Sequence, residues 1–257
     1  MRDKYTFTAW ARIGIAALAL GGLVTARTAA QAAEFSYAGD EGPGFWGDLD
    51  PAWADCSQSA RQSPIDLQKA RKDSSLGPLD LQLQGTEIDL LNNGHTIKQV
   101  YKPGSILTFG GVPYELQEFH FHTLAEHTIK GKRGAMELHA VFMNTEMGTA
   151  AVIGQIYDIA KENPFLAAFD HILPRHSGDS STSPTQINVG EGFADTTKYF
   201  TYAGSLTTPP CSATVTFIVL EKRATLSEEQ FHLFNAILGN NFRPLQPLNG
   251  RTIHRSH

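Results

Sequence analysis

The chemistry-bearing residues of this 257-residue chain concentrate in two short segments, Glu118-Phe119-His120-Phe121-His122 and Met136-Glu137-Leu138-His139-Ala140-Val141. Side chains of a strand alternate between faces, so Glu118, His120 and His122 project to one side and Phe119 and Phe121 to the other. The second segment alternates in the same way. Residues 123–135 between them contain a glycine-bounded turn, so the second strand can run back beside the first and bring His139 to the same spot. Three neutral ring nitrogens with a fourth position open make a catalytic zinc site, whereas a structural site fills all four positions with protein. Glu118 and Glu137 each lie two residues before a histidine on its own face, and either can accept a free ring N–H and fix the tautomer.

Holding such a site requires a rigid, strand-rich frame. Residues 82–90, 96–101, 106–109, 115–122, 136–144, 150–157 and 215–220 read as strands. Turn chemistry falls between them, at Asn93-Gly94, Lys102-Pro103-Gly104, Gly110-Gly111 and Gly131-Lys132-Arg133-Gly134. The short connections imply mostly antiparallel pairing. The clearest helix begins at Ser227, with Gln230 completing a capping box, Phe231, Phe234, Ile237 and Leu238 on its apolar face, and Gly239 as its stop. A short helix is expected after Asn163-Pro164. The predicted fold is mainly β (α+β), a single domain around a large twisted, mostly antiparallel central sheet with peripheral short helices. On local pattern, His120-x-His122-x-x-x-Glu126 also fits the first metal motif of the cupins, small β-barrels that often hold iron or manganese. The Pro-x-Gly segment with later histidine and asparagine that a cupin needs does not follow Glu126.

Residues 1–32 read as a signal peptide: a basic start (Arg2, Lys4, Arg12), an apolar run from Ile13 to Val24, and the small-residue site Ala30-Gln31-Ala32. The run is shorter than the roughly 20 residues a bilayer span needs. The mature domain is then 33–257, secreted and on this reading periplasmic, with no stable membrane insertion. Removing residues 1–32 takes away four basic residues and one acid, moving the formal charge from −5 to −8, which argues against a nucleic-acid backbone as partner. The two cysteines, Cys56 and Cys211, both lie in the exported part, where one disulfide is the economical outcome. Closing so long a loop stabilises by about 5 kcal/mol at most.

From about Phe35 to Arg251 the sequence resembles the α-carbonic anhydrases, in their bacterial secreted form. The resemblance is carried, in order, by Tyr37, Gly42-Pro43, Trp46-Gly47, Gln62-Ser63-Pro64-Ile65-Asp66, Asn92-Asn93-Gly94-His95, Phe119-His120-Phe121-His122, Ala125-Glu126-His127-Thr128, Glu137-Leu138-His139, Ser205-Leu206-Thr207-Thr208-Pro209-Pro210-Cys211, and Asn241-Phe242-Arg243-Pro244-Leu245-Gln246-Pro247. It implies zinc on His120, His122 and His139 and reversible hydration of carbon dioxide to bicarbonate and a proton by zinc-bound hydroxide. It further implies that Thr207 bonds that hydroxide and donates to Glu126, that His95 shuttles the proton, and that Tyr37 and Asn93 order the intervening water. Thr208 would bind bicarbonate. Val141, Val152, Leu206 and Phe217 would line the carbon dioxide pocket, and Cys56 and Cys211 match the family's disulfide. Partners are then the small-molecule substrate, with a homodimer admissible.

Three positions depart from the family pattern without removing a ligand. Glu118 replaces a usual glutamine, Phe217 a frequent tryptophan, and Lys98 an amide near the cavity mouth. Two other functions compete with the hydratase: a non-catalytic carbonic-anhydrase-like binding module, which usually loses a zinc histidine, and the cupin-like metal oxygenase. His127 is expected to be buried and hydrogen-bonded. His171, His176, His232, His254 and His257 are expected on surfaces or loops.

Overall fold

A computed structural model describes residues 33–257; the expected signal peptide, 1–32, lies outside the described residues. The central element is a thirteen-stranded sheet. Its main path runs from Ser180–Ile187 through Thr86–Asn92, Ile97–Val100, Val112–His122, Met136–Asn144, Thr149–Ile159, Val215–Leu220 and Tyr199–Gly204 to His254–Arg255 and Arg71–Lys72. Most neighbours are antiparallel, as expected; the parallel steps join Thr149–Ile159 to Val215–Leu220 and to Ala224–Leu226, and His254–Arg255 to Arg71–Lys72. The path is open rather than closed on itself, which is not the barrel of a cupin.

The two histidine-bearing strands are adjacent and antiparallel. The connection between them is itself a small hairpin, Thr128–Ile129 against Lys132–Arg133. It turns at Lys130 and Gly131, both at positive φ, the conformation that two-residue hairpins demand and glycine supplies most readily. Phe119 and Phe121 are fully buried on the far face of the sheet. There they meet Phe165 of helix Pro164–Ala167, Phe169 in the turn just after it, and Phe234 of helix Glu228–Leu238. Each such phenylalanine contributes about 1.5–3 kcal/mol on burial, so this layer anchors the histidine strand from behind. The longer helix starts with the predicted capping box, Ser227 with Gln230, and ends at Gly239.

Some elements differ from expectation. The predicted strand 82–90 is two strands, Asp80–Gln82 and Thr86–Asn92, because each pairs with a different neighbour, Ile106–Phe109 and Ser180–Ile187 respectively. Ser180–Ile187 carries mostly exposed polar residues and a proline, a composition that edge strands tolerate and that hides them from hydrophobic patterning. Tyr199–Gly204 was also unforeseen: nearly all of it is buried, so it lacks the polar alternation that marks a half-exposed strand. Among the described residues, no helix is long and apolar enough to cross a membrane.

Candidate active site

Register brings the three histidines together. His139 stands directly opposite His120, and Glu137 opposite His122. Ring centroids are 5.0 Å apart for His120 and His122, 5.4 Å for His120 and His139, and 4.7 Å for His122 and His139. Each ring is held by one nitrogen. His120 Nδ1 lies 2.9 Å from Glu118 Oε1, His122 Nδ1 lies 2.8 Å from the Asn241 carbonyl, and His139 Nε2 lies 3.1 Å from Glu137 Oε1. All three partners are acceptors, so each engaged nitrogen carries the proton and the other lone pair is free. Ligand-capable nitrogens of the three rings lie within 4.8 Å of one another, and His122 Nε2 is buried with no hydrogen-bond partner. Burial pushes His122 down to about 3 and His139 down to about 4, keeping both rings neutral as metal ligation requires. At His120 burial acts in the same direction, but Glu118 outweighs it and raises the pKa.

Glu137 serves two histidines. Oε1 also accepts from His127 Nδ1 at 2.8 Å, and Oε2 accepts from the His127 backbone N–H at 2.8 Å. Burial opposes its ionisation, yet His127 and His139, both hydrogen-bonded to it, hold its carboxyl well below the usual range. His127, Glu137 and His139 therefore also cluster, but both nitrogens of His127 and both oxygens of Glu137 are already bonded, which makes this a closed hydrogen-bonded array. Gly154, opposite His139 on the next strand, makes room for it: a Cβ there would stand 2.7 Å from Glu137 Oε1.

Glu126 is fully buried. Its Oε1 accepts the Arg243 backbone N–H at 2.8 Å. Its Oε2 has no hydrogen-bond partner and stands 3.7 Å from His122 Nε2 and 3.9 Å from His139 Nδ1. Burial raises this carboxyl, opposed by His139, the Arg243 N–H and the Thr207 hydroxyl beside it. An apolar wall adjoins the histidines. Val141 is paired with Val152, and Val152 with Phe217, across three successive strands, so all three share the face of His139. The Phe217 ring lies 5.4 Å from that of His139, and Leu206 packs on the same cluster. Thr208, half-buried, follows Thr207 in the loop, and its carbonyl accepts from the Cys211 N–H. Cys211 is disulfide-bonded to Cys56, which ties that loop to the amino-terminal segment.

His95 is half-buried with its ring stacked on Phe35, centroids 3.8 Å apart and planes within 10°. Both line a cavity of about 600 Å³ with Tyr37, Asn240 and Phe242. Burial lowers the His95 pKa, and Glu34 opposes this. The Tyr37 hydroxyl is buried without a partner. Asn93 is exposed, and its Oδ1 accepts from the His95 and Thr96 N–H groups, so it shapes the turn that carries His95. Lys98 stands opposite His120 on the neighbouring strand.

Sequence reasoning missed Phe35, Gly154 and the role of Asn241. Asn241 Nδ2 donates to the His95 and Phe121 carbonyls, both at 3.0 Å, and its Oδ1 accepts the Thr123 N–H at 2.7 Å. An asparagine among loop residues gives no sequence signal of such contacts beyond its place in a family motif.

The sequence model of the family described as eukaryotic-type carbonic anhydrase matches residues 41–257. The carbonic anhydrase of Klebsiella pneumoniae is 38% identical over 225 residues, covering 86% of this chain and 91% of that protein. That of Nostoc sp. is 37% identical over 235 residues, covering 90% and 89%. The structure is similar to that of a hyperthermostable carbonic anhydrase from an active hydrothermal vent chimney, with a TM-score of 0.83 and 39% identity over 87% of this chain and all of the other.

Proposed function

This chain belongs to the α-class carbonic anhydrases, enzymes that reversibly hydrate carbon dioxide, and we propose that it works with zinc held by His120, His122 and His139. One observation carries the assignment: each ring spends one nitrogen on an acceptor and keeps the other free in a single cluster, where the buried His122 Nε2 lacks any partner. Three imidazoles and an open fourth position suit zinc above the hard cations, which prefer oxygen. When bound, zinc supplies the Lewis acidity by which water becomes a nucleophile near neutral pH.

The protein's own groups do the rest. With Glu126 as a carboxylate acceptor, the Thr207 hydroxyl donates to it. The Thr207 oxygen can then only accept from the nucleophile, which aims the attacking lone pair. The wall of Val141, Val152, Leu206 and Phe217 offers carbon dioxide an apolar berth free of competing water, and Thr208 binds the bicarbonate product. His95 takes the proton outward along water ordered by the Tyr37 hydroxyl, as a histidine can pass a proton to buffer, while Asn93 holds the turn beneath it. The signal-like segment 1–32 and the Cys56–Cys211 bond favour export into an oxidising compartment such as a periplasm.

Metal analysis of the purified protein, combined with stopped-flow carbon dioxide hydration with and without a chelator, tests this reading. The expected result is one zinc per chain and chelator-sensitive hydration, both lost in His139→Ala. Iron or manganese in place of zinc refutes the metal assignment, and bound zinc without hydration refutes the catalytic one.

A further inference from the structure

Behind the histidines runs a buried chain of hydrogen bonds that ends at the loop bearing Thr207. From His139 it passes through Glu137 to His127. His127 Nε2 lies 2.7 Å from the Tyr202 hydroxyl, which lies 2.9 Å from Ser63 Oγ. Ser63 and Ser205 then clasp each other reciprocally: Ser205 N–H donates to Ser63 Oγ at 3.1 Å, and Ser63 N–H donates to Ser205 Oγ at 3.0 Å. Ser205 Oγ closes the run on the Leu206 carbonyl at 2.8 Å, the residue before Thr207. Every side chain of this run is buried, Glu137, His127, Ser63 and Ser205 fully so. A Cβ at Gly204 would collide with Ser63 Oγ, so the glycine makes room for this contact.

We propose that Tyr202 is a positioning residue for the hydration reaction: its hydroxyl sets the Thr207 loop in register with His139, although it touches neither substrate nor a metal-holding ring. A partly satisfied polar network in a dry interior costs more than an apolar one, so each member has a single low-energy placement, and a displacement at one end is passed to the other. The ring of Tyr202 is fixed independently, stacked on Phe217 at 5.6 Å with the Arg251 guanidinium 5.5 Å from its centroid. Removing the hydroxyl therefore cuts the chain without emptying the core. The inference rests on the zinc-site reading above.

Tyr202→Phe tests it in the zinc-loaded protein. Chelator-driven zinc release is expected to quicken about tenfold, the scale on which partners of ligating histidines act, and kcat/KM for hydration to fall several-fold. Because the effect on rate passes through the loop, Tyr202→Phe in a Thr207→Ala background is expected to lower kcat/KM by less than twofold. Ser63→Ala, which cuts the chain one bond further from His139, is expected to quicken zinc release too. A lower melting temperature with wild-type zinc release in both variants overturns the proposal, as does a full several-fold loss in the Thr207→Ala background. Wild-type protein that fails to hold zinc removes the site reading itself, and this proposal with it.

Discussion

The Asn241 carbonyl accepts from His122 Nδ1 at 2.8 Å across 119 positions of sequence, so the tautomer of a strand histidine is set by a loop near the carboxyl terminus. The Asn241 side chain holds that carbonyl in place through bonds to Thr123, Phe121 and His95. Asn241→Ala leaves three backbone groups without these partners, at about 1–3 kcal/mol for each that water cannot reach. Thermal denaturation is expected to show the loss, and a chelator to strip metal from the variant faster than from wild type. Unchanged release would mean that the carbonyl holds its position without the side chain.

His95 stacks on Phe35 beside the cavity. His95→Ala is expected to keep its zinc, to hydrate carbon dioxide more slowly in dilute buffer, and to recover as imidazole is added. Wild-type turnover by this variant in dilute buffer rules out a shuttle role.

In protein stripped of metal, burial depresses His122 to about 3 and His139 to about 4, whereas in the unfolded chain both titrate near 6.5. The unfolded state therefore binds more protons between these values, and stability rises with pH there. Their contribution is complete above about pH 6.5 and is lost as the pH falls toward 4 and then 3. Melting temperatures of the stripped protein measured at pH 7, 5.5 and 4 should descend in that order, and a flat series contradicts the burial argument.

Glu118 bonds His120 Nδ1 where the family usually carries glutamine. A carboxylate makes its imidazole a stronger electron donor than an amide does, and adds negative charge near the metal. The pH midpoint of hydration by Glu118→Gln is therefore expected below that of wild type, from stopped-flow rates between pH 6 and 9. An unmoved midpoint would show that the charge is not felt at the reacting centre.

Gly154 has a purely spatial role. The methyl group of Gly154→Ala would press on Glu137 Oε1 at 2.7 Å, and that carboxylate is pinned by two histidines and cannot swing aside. Overpacking of this kind costs about 1–3 kcal/mol, and loss of the Glu137 bond should speed metal release. Gly77→Ala, whose added methyl meets nothing within 4 Å, is the control and should melt within a degree or two of wild type.

Much of this molecule can be read without coordinates. Alternation in Glu118–His122 and Met136–Val141 puts three imidazoles on one face, because side-chain direction in a strand is a local property of the backbone. The capping box at Ser227 is local too, and the structure reproduces both. Tertiary structure alone supplied the acceptor for His122, the Asn241 carbonyl far off in sequence, whereas Glu118 and Glu137 lie two residues before the histidines they serve. It also decided that Gly154 must be small and that Tyr202 joins His127 to Ser63. Such contacts arise where distant strands are set side by side, and a strand's own residues carry no record of which neighbour the sheet will give them.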